Sequence, residues 1–419
     1  MNAGTKTEIM QADQKQNGQT FKKLLLKKRI FEIFYKEGSK PIAEICELTS
    51  SSIPSVTQIM NEMTAEGWLM NVGIGKSKGG RKPALYDLNP EAGLISSIEL
   101  SRKYSRLGLF NLHNEQLGDI VEISEGLDTS ESIIQTLKAE LEALWKRNNV
   151  SKQDMLGLGV TVPGLIDIKT GVSYSYPQFG NKPLSEYFSE HFGLTAVIEH
   201  DTKAMAVGEA WFGLASDKSN VLFINIGSGI GLSIIINGQL YHGHSGFCGE
   251  FGHIQMDPEG DLCYCGKIGC LENIASGAAL VKKSQELIEG GKSSIISNIV
   301  AKDTSRIKLK TIIDAANQGD LFAIELLEEA GEYLAKGISI LIHLFNPEAI
   351  IIGGEMADAG NLITDPVRQK LNKYTMMRLK DDTSLLLSDL KERAGLLGTL
   401  PIVVNNVFTV KDGNTLLSC

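Results

Sequence analysis

The sequence predicts an α/β protein with a winged helix-turn-helix at its front, and three observations carry that prediction. Two short amphipathic helices meet at a serine-rich turn near residue 50, two strands flank a glycine- and lysine-rich loop just after them, and from about Leu94 apolar strand-like runs alternate with long helical stretches. A chain of 419 residues exceeds what one core ordinarily serves, so several domains are expected. The boundaries read as a flexible segment over 1–20, the winged segment over 21–90 and the body over 91–415.

The elements follow in order. Residues 22–36, KKLLLKKRIFEIFYK, place Leu25, Ile30, Ile33 and Phe34 close to helical spacing, and Gly38 ends the run. A second helix runs from Pro41 through Leu48, and the turn Thr49-Ser50-Ser51-Ser52 leads into a third from about Ile53 to Glu66. Ser52 suits its cap, Pro54 its first turn, and Val56, Ile59, Met60 and Met63 form its buried stripe. Such a pair has helix-turn-helix geometry, with Ser55, Thr57, Gln58 and Asn61 facing outward, able to bond base edges or phosphates. Trp68 to Met70 reads as a strand, Gly73 to Gly80 as a loop and Pro83 to Leu88 as the returning strand. That is a wing, whose tip carries Lys76, Lys78, Arg81 and Lys82 on flexible backbone, suited to phosphate or a narrow minor groove.

Charge distribution agrees with this division. The whole chain carries −9, yet residues 1–90 hold 13 basic against 9 acidic residues, while the remainder holds 28 against 41. A basic front on an acidic body fits a protein in which only the front meets phosphate, so operator DNA is the expected partner. The N-terminal stretch has no apolar leader, and no later segment has the ~18 uninterrupted apolar residues a span needs, so neither membrane nor export is expected and the location reads as cytoplasmic.

In the body, residues 95–120 read as a hairpin, MLGLGVTVPGLID as a strand and loop, TAVIEHD as a strand, residues 221–243 as two strands about a glycine-rich turn, and EAIIIGGEM as a strand entering a glycine pair. Helices are expected at roughly 130–147, 321–345 and 365–374. Six cysteines stand at 46, 248, 263, 265, 270 and 419, and three of them crowd into eight residues, a pattern of metal ligation in a reducing compartment rather than of disulfides.

These motifs together resemble the ROK family of repressors and sugar kinases, over residues 20–415, and with the winged front they resemble its N-acetylglucosamine and xylose repressor branch. The resemblance implies a two-lobed, actin- and hexokinase-like (ribonuclease-H-like) body. Its strongest motif is GEFGHIQMDPEGDLCYCGKIGCLE, residues 249–272, where His253, Cys263, Cys265 and Cys270 supply the imidazole and three thiolates of a closed, structural zinc site. By the same resemblance Glu250, His253 and Glu272 contact sugar hydroxyls, and Asp201 matches the general base of the kinases. His200 stands where the family usually has an asparagine ligand, which leaves the sugar open; Pro163-Gly164 and Asn181 match loops lining the sugar cleft, or serve as simple turns.

Kinases of the family open this body with a turn reading roughly Asp-x-Gly-Gly-Thr, whose glycines admit phosphate. Here the stretch is Glu99-Leu100-Ser101-Arg102-Lys103, without either glycine. Gly227-Ser228-Gly229-Ile230-Gly231 and Gly353-Gly354 persist, and their turns have a structural reading that does not need ATP. Because phosphoryl transfer depends on positioning, loss of the first phosphate turn implies loss of catalysis, with Asp201 kept as a sugar ligand and no catalytic residue. The expected protein is a sugar-responsive repressor, a homodimer or tetramer, in which sugar in the cleft alters the spacing of the winged heads. An active sugar kinase with a DNA-binding head is the alternative, a regulator driven by a protein partner is a third reading, and induction versus co-repression stays open.

Overall fold

The computed structural model describes residues 18–75, 82–128, 130 and 132–407. The N-terminal segment 1–17 falls outside these residues, as does most of the wing tip with Lys76, Lys78 and Arg81. Among the described residues no helix is long and apolar enough to cross a membrane. The described residues divide into two compact units: the first lies within 18–164, 171–199 and 399–407, the second within 165–170 and 200–398.

The first unit opens with three helices, Gly18–Glu37, Ile42–Thr49 and Ile53–Ala65, and a small sheet. Its strands are β1 (Lys40–Pro41), β2 (Leu69–Ile74) and β3 (Ala84–Leu88), with β3 central and both pairings antiparallel. The wing is therefore three-stranded; the two residues of β1 are too few to show a period in the sequence. Ser50 takes the left-handed conformation, φ 52°, at the turn between the second and third helices. Ser52 does sit at the cap of the third helix, but its hydroxyl meets that of Ser55 at 2.9 Å rather than the helix amides.

This head is built on Ile30, Phe31, Phe34, Ile45, Val56, Ile59, Met60, Met63 and Trp68, all buried. Trp68 is the largest of them and meets Phe31 edge-on at 5.7 Å. Leu25 is exposed and Ile33 half-buried, contrary to the spacing argument, and Leu24 is the buried leucine. Helical periodicity cannot choose among three consecutive leucines; what chooses is the opposing surface, where Lys23 reaches Glu62 at 2.7 Å and buried Lys27 reaches Glu66.

The rest of the first unit carries β4 (Leu94–Leu100), β5 (Ser105–Phe110), β6 (Val121–Ile123), β7 (Met155–Val162) and β8 (Ala196–His200). Their order is β6-β5-β4-β7-β8, antiparallel from β6 to β4 and parallel from β4 to β7. Both β4 and β7 are buried throughout, as strands covered on two faces must be. The helix Ile133–Arg147 covers one face, and its Trp145 donates to Ser96 Oγ at 2.9 Å. The turn after β5 also touches the head: the Tyr35 hydroxyl bonds Asn114 Oδ1, and His113 Nε2 lies 2.9 Å from the carbonyl of Leu88 in β3.

The second unit repeats the plan with β9 (Val221–Ile226), β10 (Ile230–Ile236), β11 (Gln239–Leu240), β12 (Ala349–Gly353) and β13 (Ser384–Leu387), ordered β11-β10-β9-β12-β13. Here too β9–β11 are antiparallel neighbours, and β12 runs parallel to both β9 and β13. The same 3-2-1-4-5 order in both units is the duplicated ribonuclease-H-like plan of actin and hexokinase. The long helix Leu321–Phe345 packs its apolar face on this sheet's core, with Leu327, Ala330, Leu334, Ile338 and Ile342 buried. At Gly337 in that helix a Cβ would stand 2.6 Å from the Phe251 ring, so glycine there opens the seat by which the loop 242–272 is anchored.

Candidate functional site

Phe251 is buried in the core of the second unit, and it fixes the one-turn helix Phe251–His253 between Glu250 and His253. Beyond it the chain doubles back through two isolated bridges, Gln255 with Cys270 and Leu262 with Ile268. This folding brings His253, Cys263, Cys265 and Cys270 together, with one donor atom of each lying within 4.8 Å of all the others. Cys263 Sγ is 3.7 Å from His253 Nδ1, and Cys265 Sγ is 3.6 Å from Cys270 Sγ. Those separations match the edges, ~3.8 Å, of a tetrahedron with metal–sulfur bonds of ~2.3 Å, so the residues fit a metal ion. Cys263 and Cys270 are buried and Cys265 is exposed; Cys46 and Cys248 lie apart from the cluster.

Burial pushes the Cys270 thiol up to about 12, reinforced by its neighbours Cys265 and Cys263. Burial also raises Cys263, whereas at Cys265 the burial penalty is outweighed by the Lys267 amide and the adjoining sulfurs, which lower it. Three crowded sulfurs resist ionising together, and a bound cation is what makes their thiolates stable. The geometry also assigns the two nitrogens of His253. Nδ1 faces the sulfurs, while Nε2 faces Tyr264 Oη at 3.2 Å and Glu250 Oε2 at 3.9 Å. His253 can thus serve a metal on one side and a hydroxyl-bearing ligand on the other.

The remaining expected sugar contacts divide between the units. Asp201 opens the helix Asp201–Phe212 with His200 as its cap residue, so its carboxylate stands at a helix N-terminus. Its Oδ1 accepts from the Thr202 amide and, at 3.1 Å, from the Thr202 hydroxyl, with His200 Nδ1 also 3.1 Å away; Oδ2 takes none of these bonds. Glu250 is exposed. Glu272, at the head of the short helix Glu272–Ala275, accepts from the Ile230 amide through Oε2 at 2.9 Å. All of these belong to the second unit, whereas Gly164, in the turn after β7, and the exposed Asn181 belong to the first. One residue escapes the sequence reading: Lys203, buried two positions after Asp201, donates from Nζ to the Gly246 carbonyl and ties this helix to the loop that leads to Glu250. A lysine inside an otherwise apolar helical stretch is the signal that could have found it.

The turn after β4 and the glycine-rich turn after β9 have different chemistry from a bare phosphate cradle. At the end of β4, Glu99 is 2% exposed and lies 3.8 Å from Arg106 in β5. Arg106 also reaches Glu122 at 3.3 Å and stacks over Tyr104 at 4.6 Å. The turn between the strands closes on itself, the Ser101 amide bonding the Tyr104 carbonyl at 3.0 Å, while the amides of Leu127 and Asp128 bond the Ser101 and Arg102 carbonyls at 2.9 Å each. The sequence draws attention to Arg102 at this turn, yet Arg106 is the arginine beside the acid. In the second unit, a Cβ on Gly229 would stand 2.6 Å from Glu272 Oε2, so close packing against Glu272 is itself a reason for glycine there.

On the head, Ser55, Gln58 and Asn61 are exposed along one side of the helix Ile53–Ala65, and Thr57 is half-buried. Gln58 Nε2 donates to Glu62 at 3.1 Å, which pre-orients its amide. Lys82 is exposed at the foot of the wing; Lys76, Lys78 and Arg81 lie outside the described residues.

Comparison with known proteins matches this arrangement. The ROK family model matches residues 96–406. A xylose repressor of Caldicellulosiruptor bescii is 30% identical over 92% of this chain and 96% of its own length. The crystal structure of a ROK family transcriptional regulator, a homologue of the Escherichia coli MLC protein, superposes with a TM-score of 0.76 at 26% identity, covering 92% of this chain and 96% of that one. A ROK glucokinase from Streptomyces griseus, solved with glucose and AMPPNP, reaches 0.66 at 28% identity and covers 74% of this chain and 99% of its own. The regulator's coverage exceeds the kinase's by about the size of the winged front. The chain belongs to the ROK family, on the side of its sugar-responsive transcriptional regulators.

Proposed function

We propose that this regulator acts in the cytoplasm as a homodimer or tetramer, grips an operator through paired winged heads, and changes that grip when a sugar binds the second unit. The sugar is a small carbohydrate such as the xylose of its relative's name, taken within the second unit by Asp201, Glu250, His253 and Glu272, with His200 beside Asp201. Carboxylates suit this task because each accepts two hydroxyl hydrogen bonds. Zinc, held by His253, Cys263, Cys265 and Cys270, orders the loop; a closed set of four protein ligands is structural rather than catalytic. The domain limits are 21–90 for the head and 91–415 for the body, after a leading segment 1–20 whose helix already begins at Gly18.

The observation that carries a non-catalytic reading is the end of β4. A buried acid already paired with Arg106, in a turn whose amide closes internally, leaves little for magnesium and phosphate to use. Retention of Asp201 favours the second reading, an active sugar kinase, and Mg-ATP with D-glucose, D-xylose and N-acetyl-D-glucosamine separates the two. The expected result is no sugar-dependent ADP release above background; steady release would make the protein a kinase. Operator coupling is expected in the usual range of ~1–3 kcal/mol, that is ~5- to 150-fold in DNA affinity.

DNA contact is assigned to Ser55, Thr57, Gln58 and Asn61 in the groove and to Lys76, Lys78, Arg81 and Lys82 along the backbone. Gln58→Ala is expected to relax base preference by ~1–3 kcal/mol at one position, whereas Lys82→Ala weakens all sequences alike and lowers the salt slope by about one. Binding curves against operator and scrambled DNA at several salt concentrations check both; two unchanged variants would remove the docking.

A further inference from the structure

We infer that Tyr264 is a further specificity-determining residue of the sugar site, a hydroxyl-bearing gate that holds the ligand-facing nitrogen of His253 until a sugar replaces it. The inference rests on the reading that Nδ1 of His253 serves the metal and Nε2 the sugar. Tyr264 sits between two of the metal-binding cysteines, Cys263 and Cys265, so its backbone is fixed by the cluster while its side chain stays 64% exposed. Its ring meets the imidazole edge-on at 5.2 Å, and its hydroxyl lies 3.2 Å from Nε2. The Glu250 carboxylate, the other acceptor near that nitrogen, is farther off at 3.9 Å.

With Nδ1 given to a metal, the ring's proton sits on Nε2, and the Tyr264 oxygen accepts it. A sugar hydroxyl that takes the Nε2 proton must displace that oxygen. Displacement is easy, because an exposed tyrosine turns about two side-chain bonds into water without opening the core. Its cost is the bond given up, which falls on sugars that use the His253 nitrogen and so lowers their affinity relative to sugars that bind through Glu250 without it.

The test is calorimetric titration of full-length, zinc-loaded protein with D-glucose, D-xylose and N-acetyl-D-glucosamine, comparing Tyr264→Phe with the parent and measuring zinc content and melting temperature alongside. Phenylalanine keeps the ring and removes the oxygen. The expected result is that a sugar bound by the parent binds the variant about three- to tenfold more tightly, with zinc content and melting unchanged. Equal or weaker binding by the variant overturns the gate and leaves the sugar-sensor reading intact. Absence of heat for every sugar in both proteins overturns the sensor reading and the gate with it.

Discussion

Cys270→Ala is expected to abolish stoichiometric zinc, lower the melting temperature of the second unit by about 8–20 °C and remove the response to sugar. Cys270 is fully buried and belongs to a loop held by two isolated bridges, by Phe251 and by the cluster itself. Structural zinc contributes ~10–16 kcal/mol of apparent binding free energy, comparable with the entire stability of a domain, ~5–15 kcal/mol. Much of it goes into ordering the loop, so a net loss of about 4–5 kcal/mol is the expectation, and for a unit of this size each kcal/mol shifts melting by about 2–4 °C. Because Glu250, His253 and Glu272 flank the same loop, their mutual placement goes with the metal. Zinc content by elemental analysis and thermal unfolding check the prediction; a variant that melts like the parent would show the loop to be self-supporting.

The same cluster sets a pH dependence. Burial holds the Cys270 thiol near 12 and raises Cys263, so without metal both are protonated at neutral pH. Zinc must displace those two protons, and protons compete more strongly as pH falls. Metal affinity is therefore expected to drop by at least about two decades per pH unit below neutrality, measured by competition with a chromophoric chelator. A flat profile would mean that the sulfurs are not the ligands.

Trp68→Ala is the second large effect. Trp68 is 1% exposed, packs edge-on with Phe31, and its own amide and carbonyl bond Met63 and Asn89 at 2.8 Å each. Truncating a buried aromatic residue costs ~3–5 kcal/mol, and a head of this size has little stability to spare. Operator binding is expected to be lost while zinc content and sugar binding persist, because the His253–Cys263–Cys265–Cys270 cluster and the acids Asp201, Glu250 and Glu272 lie in the other unit. Gel shift and calorimetry on the same preparation decide it. Loss of both activities would show that head and body fold as one.

Much of the site was legible in the residues. Cys263, Cys265 and Cys270 crowd together because metal ligation needs donors within a few ångströms, and short chain separation is a cheap way to supply them. The exposed face Ser55, Gln58 and Asn61 was readable because Val56, Ile59, Met60 and Met63 occupy the opposite one. The chemistry of the turn after β4 was only half visible. Missing glycines could be seen, but Arg106 acts on Glu99 from across a strand pair, and that register exists only in the folded sheet.

Local devices were written in the order of residues alone: helix stripes, turn chemistry, the crowding of Cys263, Cys265 and Cys270 and the contrast between a basic front and an acidic body. These depend on residues a few positions apart, whose geometry covalent structure and helical or strand period already constrain. The duplicated strand order, the choice of Leu24 over Leu25, the grip of Lys203 on Gly246 and the two faces of the His253 ring emerged with the folded molecule. Each is a pairing between distant segments, selected by whole-surface burial and hydrogen-bond satisfaction, which no local pattern encodes.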